Sequence, residues 1–180
     1  MVTNAALASF TGRTVVALHA QGLSSAIASL RAQPLVKRIH AVVATDDKHV
    51  AALHLAAIQP EAVPALAIIG GVASYAMIAA AEEYSTPSFI EVPGVLTKYD
   101  LQDLLTPLAL QNCTAKCGAL VLGPTDAQLR PLNSTAAEQA FAFAREVFSK
   151  YAKADLVVRE LPAGEIAAAV AAVAEWAGGS

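Results

Sequence analysis

Apolar residues gather in four short β-rich runs: "IHAVVAT" (39–45), "ALAIIGG" (65–71), "GALVLG" (118–123) and "DLVVREL" (155–161). Three of them are almost wholly apolar, the pattern of strands covered on both faces of a parallel sheet. Helical spacing fills the intervals. "LSSAIASLRAQ" (23–33) precedes the first run, and "HVAALHLAAIQ" (49–59) separates the first from the second. "STAAEQAFAFAREVFSKYAK" (134–153) separates the third from the fourth, and "GEIAAAVAAVAEWA" (164–177) follows the last. This alternation predicts an α/β fold, a doubly wound parallel sheet of about four strands flanked by helices.

The interval 72–117 breaks the rhythm. It holds Pro87, Pro93 and Pro107 and no clear strand. A plain connection is rarely that long, so the interval is expected to be an excursion of short helices packed over the sheet edge or a site. The expected organisation is a tail over 1–9, one α/β domain over 10–177 and a flexible end over 178–180. Four strands make a narrow sheet, and a helix stands where such a sheet usually opens with strands. One apolar edge is then left to be covered by something else.

Composition narrows the function classes. The 180 residues suit one domain with a full core. Hydrophobic residues reach 56% and charged residues 15%, with mean hydropathy +0.50. Even so, no apolar run attains the roughly 18–20 residues of a membrane span. The opening "MVTNAALASFTGR" lacks a basic segment followed by a long apolar core, so no secretion signal is read and the cytoplasm is the default expectation. A net charge of −3 without a concentrated basic face argues against nucleic acid as a partner. Cys113 and Cys117, the only cysteines, make neither a disulfide framework nor a zinc site, and both read as ordinary small residues.

Four patches in shared order resemble the C-terminal half of an α/β-hydrolase, of the acetyl xylan esterase-like and dienelactone hydrolase-like branch. "GRTVVALHAQGLSSAIASLRAQPLVKRIHAVVA" is similar to the helix and strand that lead into that family's Gly-x-Ser-x-Gly elbow. "LHLAAIQPEAVPALAIIGGVASYAMI" resembles the following helix, strand and loop. "FIEVPGVLTKYDLQDLLTPLA" resembles a Pro-Gly-Leu-Leu passage, and "GALVLGPTDAQLRPLNSTAAEQAFAFAREVF" the strand and acid loop. The likeness runs from Gly12 to Trp176 and implies a truncated α/β-hydrolase-type sheet.

The same likeness implies a degenerate triad. Asp46 takes the nucleophile position, or Asp47 if the register slips by one, and both elbow glycines are absent. Asp126 takes the acid position, and Glu165, after Gly164, stands where the histidine would be. None of His19, His40, His49 and His54 follows the last strand. Without a serine there is no hydroxyl to acylate, and without the histidine no base to take its proton. A carboxylate at the nucleophile position would also repel a developing oxyanion. All three acids read as vestigial.

Asp46 or Asp47 with Asp126 and Glu165 could still bind a hard cation, or one of them could serve as a general base. The plainer account makes them solvated loop ends, with Asp46 and Asp47 at a helix N-terminus that favours negative charge. No cofactor or metal is assigned on that account. His54 reads as a core-edge or surface residue. Tyr75, Tyr84 and Tyr99 could line a pocket or simply pack, and Phe141, Phe143 and Phe148 read as the buried face of one long helix.

The expected function is that of a catalytically inactive α/β-hydrolase-like domain acting in assembly or partner binding, either as a homo-oligomer or with a separate chain over the open edge. The alternative is a carboxylic-ester hydrolase or carbohydrate acetyl esterase, completed by a partner chain or using an atypical nucleophile such as Ser74, Ser85 or Ser134. A ligand-binding module for neutral or cationic small molecules is a third possibility. An acidic turn without glycine N–H groups disfavours phosphate.

Overall fold

The structure, a computed structural model, describes residues 13–36, 39–44, 48–111, 117–151, 155–161 and 165–178. Helix α1 (Val15–Arg31) leads into β1 (Ala41–Val43), α2 (Lys48–Ile58) and β2 (Ala65–Ile69). Then come α3 (Tyr75–Ala80), three 3-10 turns at Ser88–Ile90, Val95–Thr97 and Leu101–Leu105, and α4 (Thr106–Ala109). Strand β3 (Gly118–Leu122), α5 (Ser134–Ala140), α6 (Ala142–Tyr151), β4 (Asp155–Arg159) and α7 (Ile166–Gly178) complete the order.

All four strands are parallel, in the spatial order β1-β2-β3-β4. Each connection steps to the next strand in the same direction. Because crossovers keep one hand, the connecting segments gather on one face of the sheet. There Leu66, Ile68, Ala119 and Val121 pack with α1, α2, the excursion and Phe141 and Phe148. On the other face, among the described residues, only α7 packs, through Ala169 and Trp176, against Ala65, Ala67, Leu120 and Leu122. The α/β architecture expected from the apolar runs is therefore the architecture observed.

Asymmetry between the faces decides which strand is left open. Val42 pairs with Ala67, so both side chains point to the α7 face. Ala67 is fully buried, but Val42 is 49% exposed: α7 covers β2 and β3 and stops short of β1. Only at the start of β1 does it reach across, where Trp176 lies 6.2 Å from the ring of His40. Along the outside of α7, Ile166 and Val170 are also exposed.

Several boundaries differ from the sequence reading. The first helix begins at Val15, because the Thr14 hydroxyl accepts from Ala17 N–H as an N-cap and the apolar run that follows is long enough to carry Gly22 inside the helix. The helix over 134–153 is two helices, broken at Phe141 with φ −101° and ψ 10°. Phe141 and Phe148 are buried, but Phe143 is 57% exposed, which corrects its placement on the buried face. Residues two apart on a helix do not share a face, and the break does not bring them together. Strand β2 ends at Ile69, since Gly70 and Gly71 take positive φ of 74° and 86°. Cys117 is disulfide-bonded, and Cys113 is the only other cysteine in the sequence. This corrects the reading of Cys117 as an ordinary small residue; Cys113 lies outside the described residues.

Candidate functional site at the carboxyl edge of the sheet

In a parallel α/β sheet, ligands bind beyond the carboxyl ends of the strands, where the loops diverge. Here the loops after β2 and β3 stay together. Gly70 N–H donates to Leu122, Thr125 N–H to Gly71 and Ala73 N–H to Thr125, at 2.8, 2.9 and 3.0 Å. A bridge between Val72 and Thr125 continues the ladder past the sheet. The crevice between these strands is laced shut.

His49, in the first turn of α2, fills the space beside it. It is 2% exposed, and its Nε2–H donates to the Val72 carbonyl at 3.2 Å. Among Leu53, Gly71, Leu101, Pro124 and Phe141 the remaining gap is about 10 Å³. That is no more than one water needs. Sequence reasoning placed His49 in a first helical turn and missed its burial, since the apolar walls come from distant segments.

The residues singled out from the sequence separate as follows. Asp46, Asp47 and Gly164 lie outside the described residues. Asp126 follows β3, but its carboxylate is occupied. Oδ1 accepts from Gln128 N–H and Arg130 N–H, both at 2.9 Å, and Oδ2 meets the Arg130 guanidinium at 2.7 and 2.8 Å. Burial works to raise its pKa, but the Arg130 backbone and guanidinium and the Gln128 N–H prevail and hold it below the ordinary carboxylate range. This acid shapes its own loop. Glu165 is exposed and gives its carbonyl to Ala169 N–H at the start of α7. Among the described residues no group of three His, Cys, Asp or Glu side chains is placed to hold a metal ion.

Of the serines considered as atypical nucleophiles, one is built into the structure. Ser74 caps α3, accepting from Met77 N–H at 3.2 Å and donating to Asp100 Oδ2 at 2.5 Å. Ser85 and Ser134 are exposed. Asp100 itself went unremarked in the sequence. Its carboxylate takes Ser74 O–H together with the N–H groups of Tyr75, Ala76 and Leu101, while Asp103 returns to Asp100 N–H. The signal was present in "DLQD", an acid three residues after a capping acid.

His54 is half-buried on α2. A carbonyl can only accept, so Nδ1–H donates to Val50 at 2.7 Å and Nε2 accepts the Tyr99 hydroxyl at 2.9 Å. Burial lowers its pKa, against the pull of the Val50 carbonyl. Tyr99 therefore pairs with His54. Tyr75 and Tyr84 do line a cavity of about 480 Å³ in the excursion, beside Glu91, Val92 and Leu96. Glu91 accepts from Tyr84 and raises that phenol's pKa, its charge and slight burial adding to the effect. Tyr75 donates to the Ile90 carbonyl at 2.8 Å. A second hollow of about 290 Å³ lies between α1 and α2, lined by Gln21, Ser24, His54 and Gln59.

Comparison with known proteins returns nothing for this chain: no family model, no curated protein and no solved structure matches it. Among the described residues no helix is long and apolar enough to cross a membrane.

Proposed function

We propose that this chain is a non-catalytic α/β domain of the α/β-hydrolase type that works by binding another chain along the open side of its sheet. The carrying observation is the contrast within one paired row, where Val42 is 49% exposed and its neighbour Ala67 is fully buried. An apolar strand left half open at a sheet edge is a surface that proteins normally cover. Support for the absence of catalysis comes from Asp126, held by Arg130, and from His49 and Val72, which fill the edge where a substrate would enter. The sequence likeness to an esterase scaffold without its serine and histidine points the same way.

The test joins two measurements on the full chain. A chromogenic short-chain ester assay with fluorophosphonate labelling is expected to give neither turnover nor a labelled serine. Sedimentation is expected to show association with itself or with an added partner chain. Labelling of a unique serine would overturn the reading and restore the ester-hydrolase alternative.

One observation favours a second reading, a module for small cationic or neutral ligands. The 480 Å³ cavity is walled by Tyr75 and Tyr84 and carries a single charged group, Glu91. An ammonium there would meet a carboxylate and aromatic faces. Titration with benzylamine and tetramethylammonium should then release heat that Glu91→Gln abolishes. No heat from either amine would remove this reading.

A further inference from the structure

Glu91 and Val92 are neighbours in sequence that between them face two cavities. Both line the cavity of about 480 Å³ in the excursion, and Val92 also lines the hollow of about 290 Å³ between α1 and α2. The two spaces therefore share one wall, next to the carboxylate of the first. We propose that they form a single site for an amphiphilic amine, its cationic head beside Glu91 and its apolar tail passing over Val92 into the hollow between α1 and α2. This inference rests on the small-ligand reading above and names the ligand class. It does not depend on the open side of the sheet, because Val42 points to the α7 face and both cavities are built from α1, α2 and the excursion.

Charge selects the head. Among the described residues no lysine or arginine lines either cavity. Glu91 is the one charged side chain on the wall of the first, and it accepts from Tyr84. Burial, together with the nearby Tyr99, Asp100 and Glu91, raises the pKa of the Tyr75 phenol on the same wall. A wall under two carboxylates, with no basic side chain on it, favours positive charge. The Tyr75 hydroxyl is engaged by the Ile90 carbonyl, so Tyr75 offers a ligand its ring and not its donor. Such a wall suits a methylated ammonium, which carries charge but no N–H in need of an acceptor.

Polar groups that are already paired select the tail. In the hollow between α1 and α2, Ser24 Oγ donates to the Gln59 side chain at 2.9 Å. Both ring nitrogens of His54 are engaged, one by the Val50 carbonyl and one by the Tyr99 hydroxyl. Thr14 Oγ1 accepts from Ala17 N–H. These groups need nothing from a ligand. The rest of the wall is apolar, with Val16, Ala17, Ala20, Leu55 and Ile58. Ile58 is 73% exposed at the end of α2, and an alkyl chain lying there would shield it from water.

The experiment is calorimetric titration of the full chain with tetramethylammonium and with butyl-, hexyl- and octyltrimethylammonium, all below micelle formation. Affinity is expected to rise about three- to fourfold per added methylene, as for an alkyl chain leaving water. 1-Octanol and octyl sulfate, which keep the tail without the cation, should bind at least tenfold more weakly than octyltrimethylammonium. Glu91→Gln should weaken every amine at least tenfold. Ala17→Trp and, separately, Gln21→Trp, both at exposed positions of α1, should fill the hollow and flatten the dependence on chain length while leaving tetramethylammonium unchanged. Circular dichroism establishes that each variant is folded. Octanol or octyl sulfate binding as tightly as the amine, or a chain-length dependence that survives both tryptophans, would overturn the inference. Binding of tetramethylammonium and benzylamine with no gain from the chain would also overturn it, and would leave the small-cation reading standing. No heat from any amine would remove both.

Discussion

The Cα of Gly71 lies against the imidazole of His49 so closely that a methyl there would sit 2.7 Å from Nδ1. Gly71 also has φ +86°, a conformation that side chains rarely adopt. Gly71→Ala should therefore combine backbone strain with a steric clash and cost about 2 kcal/mol or more. Gly94→Ala is the control, since Gly94 has φ +73° and nothing within 4 Å of the added carbon. It should cost about 1 kcal/mol, from strain alone. Urea denaturation of both variants checks the difference.

The pairing of His54 with Tyr99 gives a dependence on pH. Burial depresses the folded-state pKa of His54 below its ordinary value. On acidification the unfolded chain takes up this proton first, at about pH 6.5. The contribution of His54 is thus complete above that pH and is lost as pH falls through the lower folded value. His54→Gln should flatten the decline in melting temperature between about pH 7 and about pH 5. Tyr99→Phe leaves Nε2 without its donor and should cost about 1 kcal/mol at neutral pH.

Asp126 titrates in a separate window. Its folded pKa lies below the ordinary carboxylate value, so its stabilisation is present above about pH 4 and is lost as pH falls further. Asp126→Ala strips the shared acceptor from the N–H groups of Gln128 and Arg130 as well as the ion pair, and should cost about 1–2 kcal/mol. Arg130→Ala should cost less, because Asp126 keeps its two backbone N–H donors and the ion pair lost is solvent-exposed. Equal losses would show that the ion pair, not the loop, carries the effect.

Asp100 ties the start of the excursion, at Ser74, Tyr75 and Ala76, to its later part. Asp100→Ala strips an acceptor from Ser74 O–H and from the N–H groups of Tyr75, Ala76 and Leu101. A loss of about 2–3 kcal/mol is expected, with Asp100→Asn intermediate because one oxygen remains. Limited proteolysis should cut first within 72–111 in the alanine variant. Cleavage elsewhere would count against Asp100 as the anchor of that segment.

Much of the architecture was legible because its causes are local. Leu66, Ile68, Leu120 and Leu122 stand in apolar runs that declare strands buried on both faces. Thr14 and Asn133 cap helices by a chemistry confined to a few neighbours. The candidate site was less legible. Asp126 was found at the end of β3, but its bonds to Arg130 depend on the loop conformation around Leu129, whose φ is 62°. The burial of His49 depends on Gly71, Leu101, Pro124 and Phe141, which converge from four separate segments.

The sequence by itself determined the parallel α/β alternation and the irregular character of the excursion, because the hydrophobic period and the proline pattern are properties of neighbouring residues. Only the tertiary structure decided that the loops beyond β2 and β3 close over His49, that Phe143 points outward and that α7 covers β2 and β3 but not β1. Those outcomes depend on which surfaces distant segments bring together, and apolar patterning along the chain is blind to that choice.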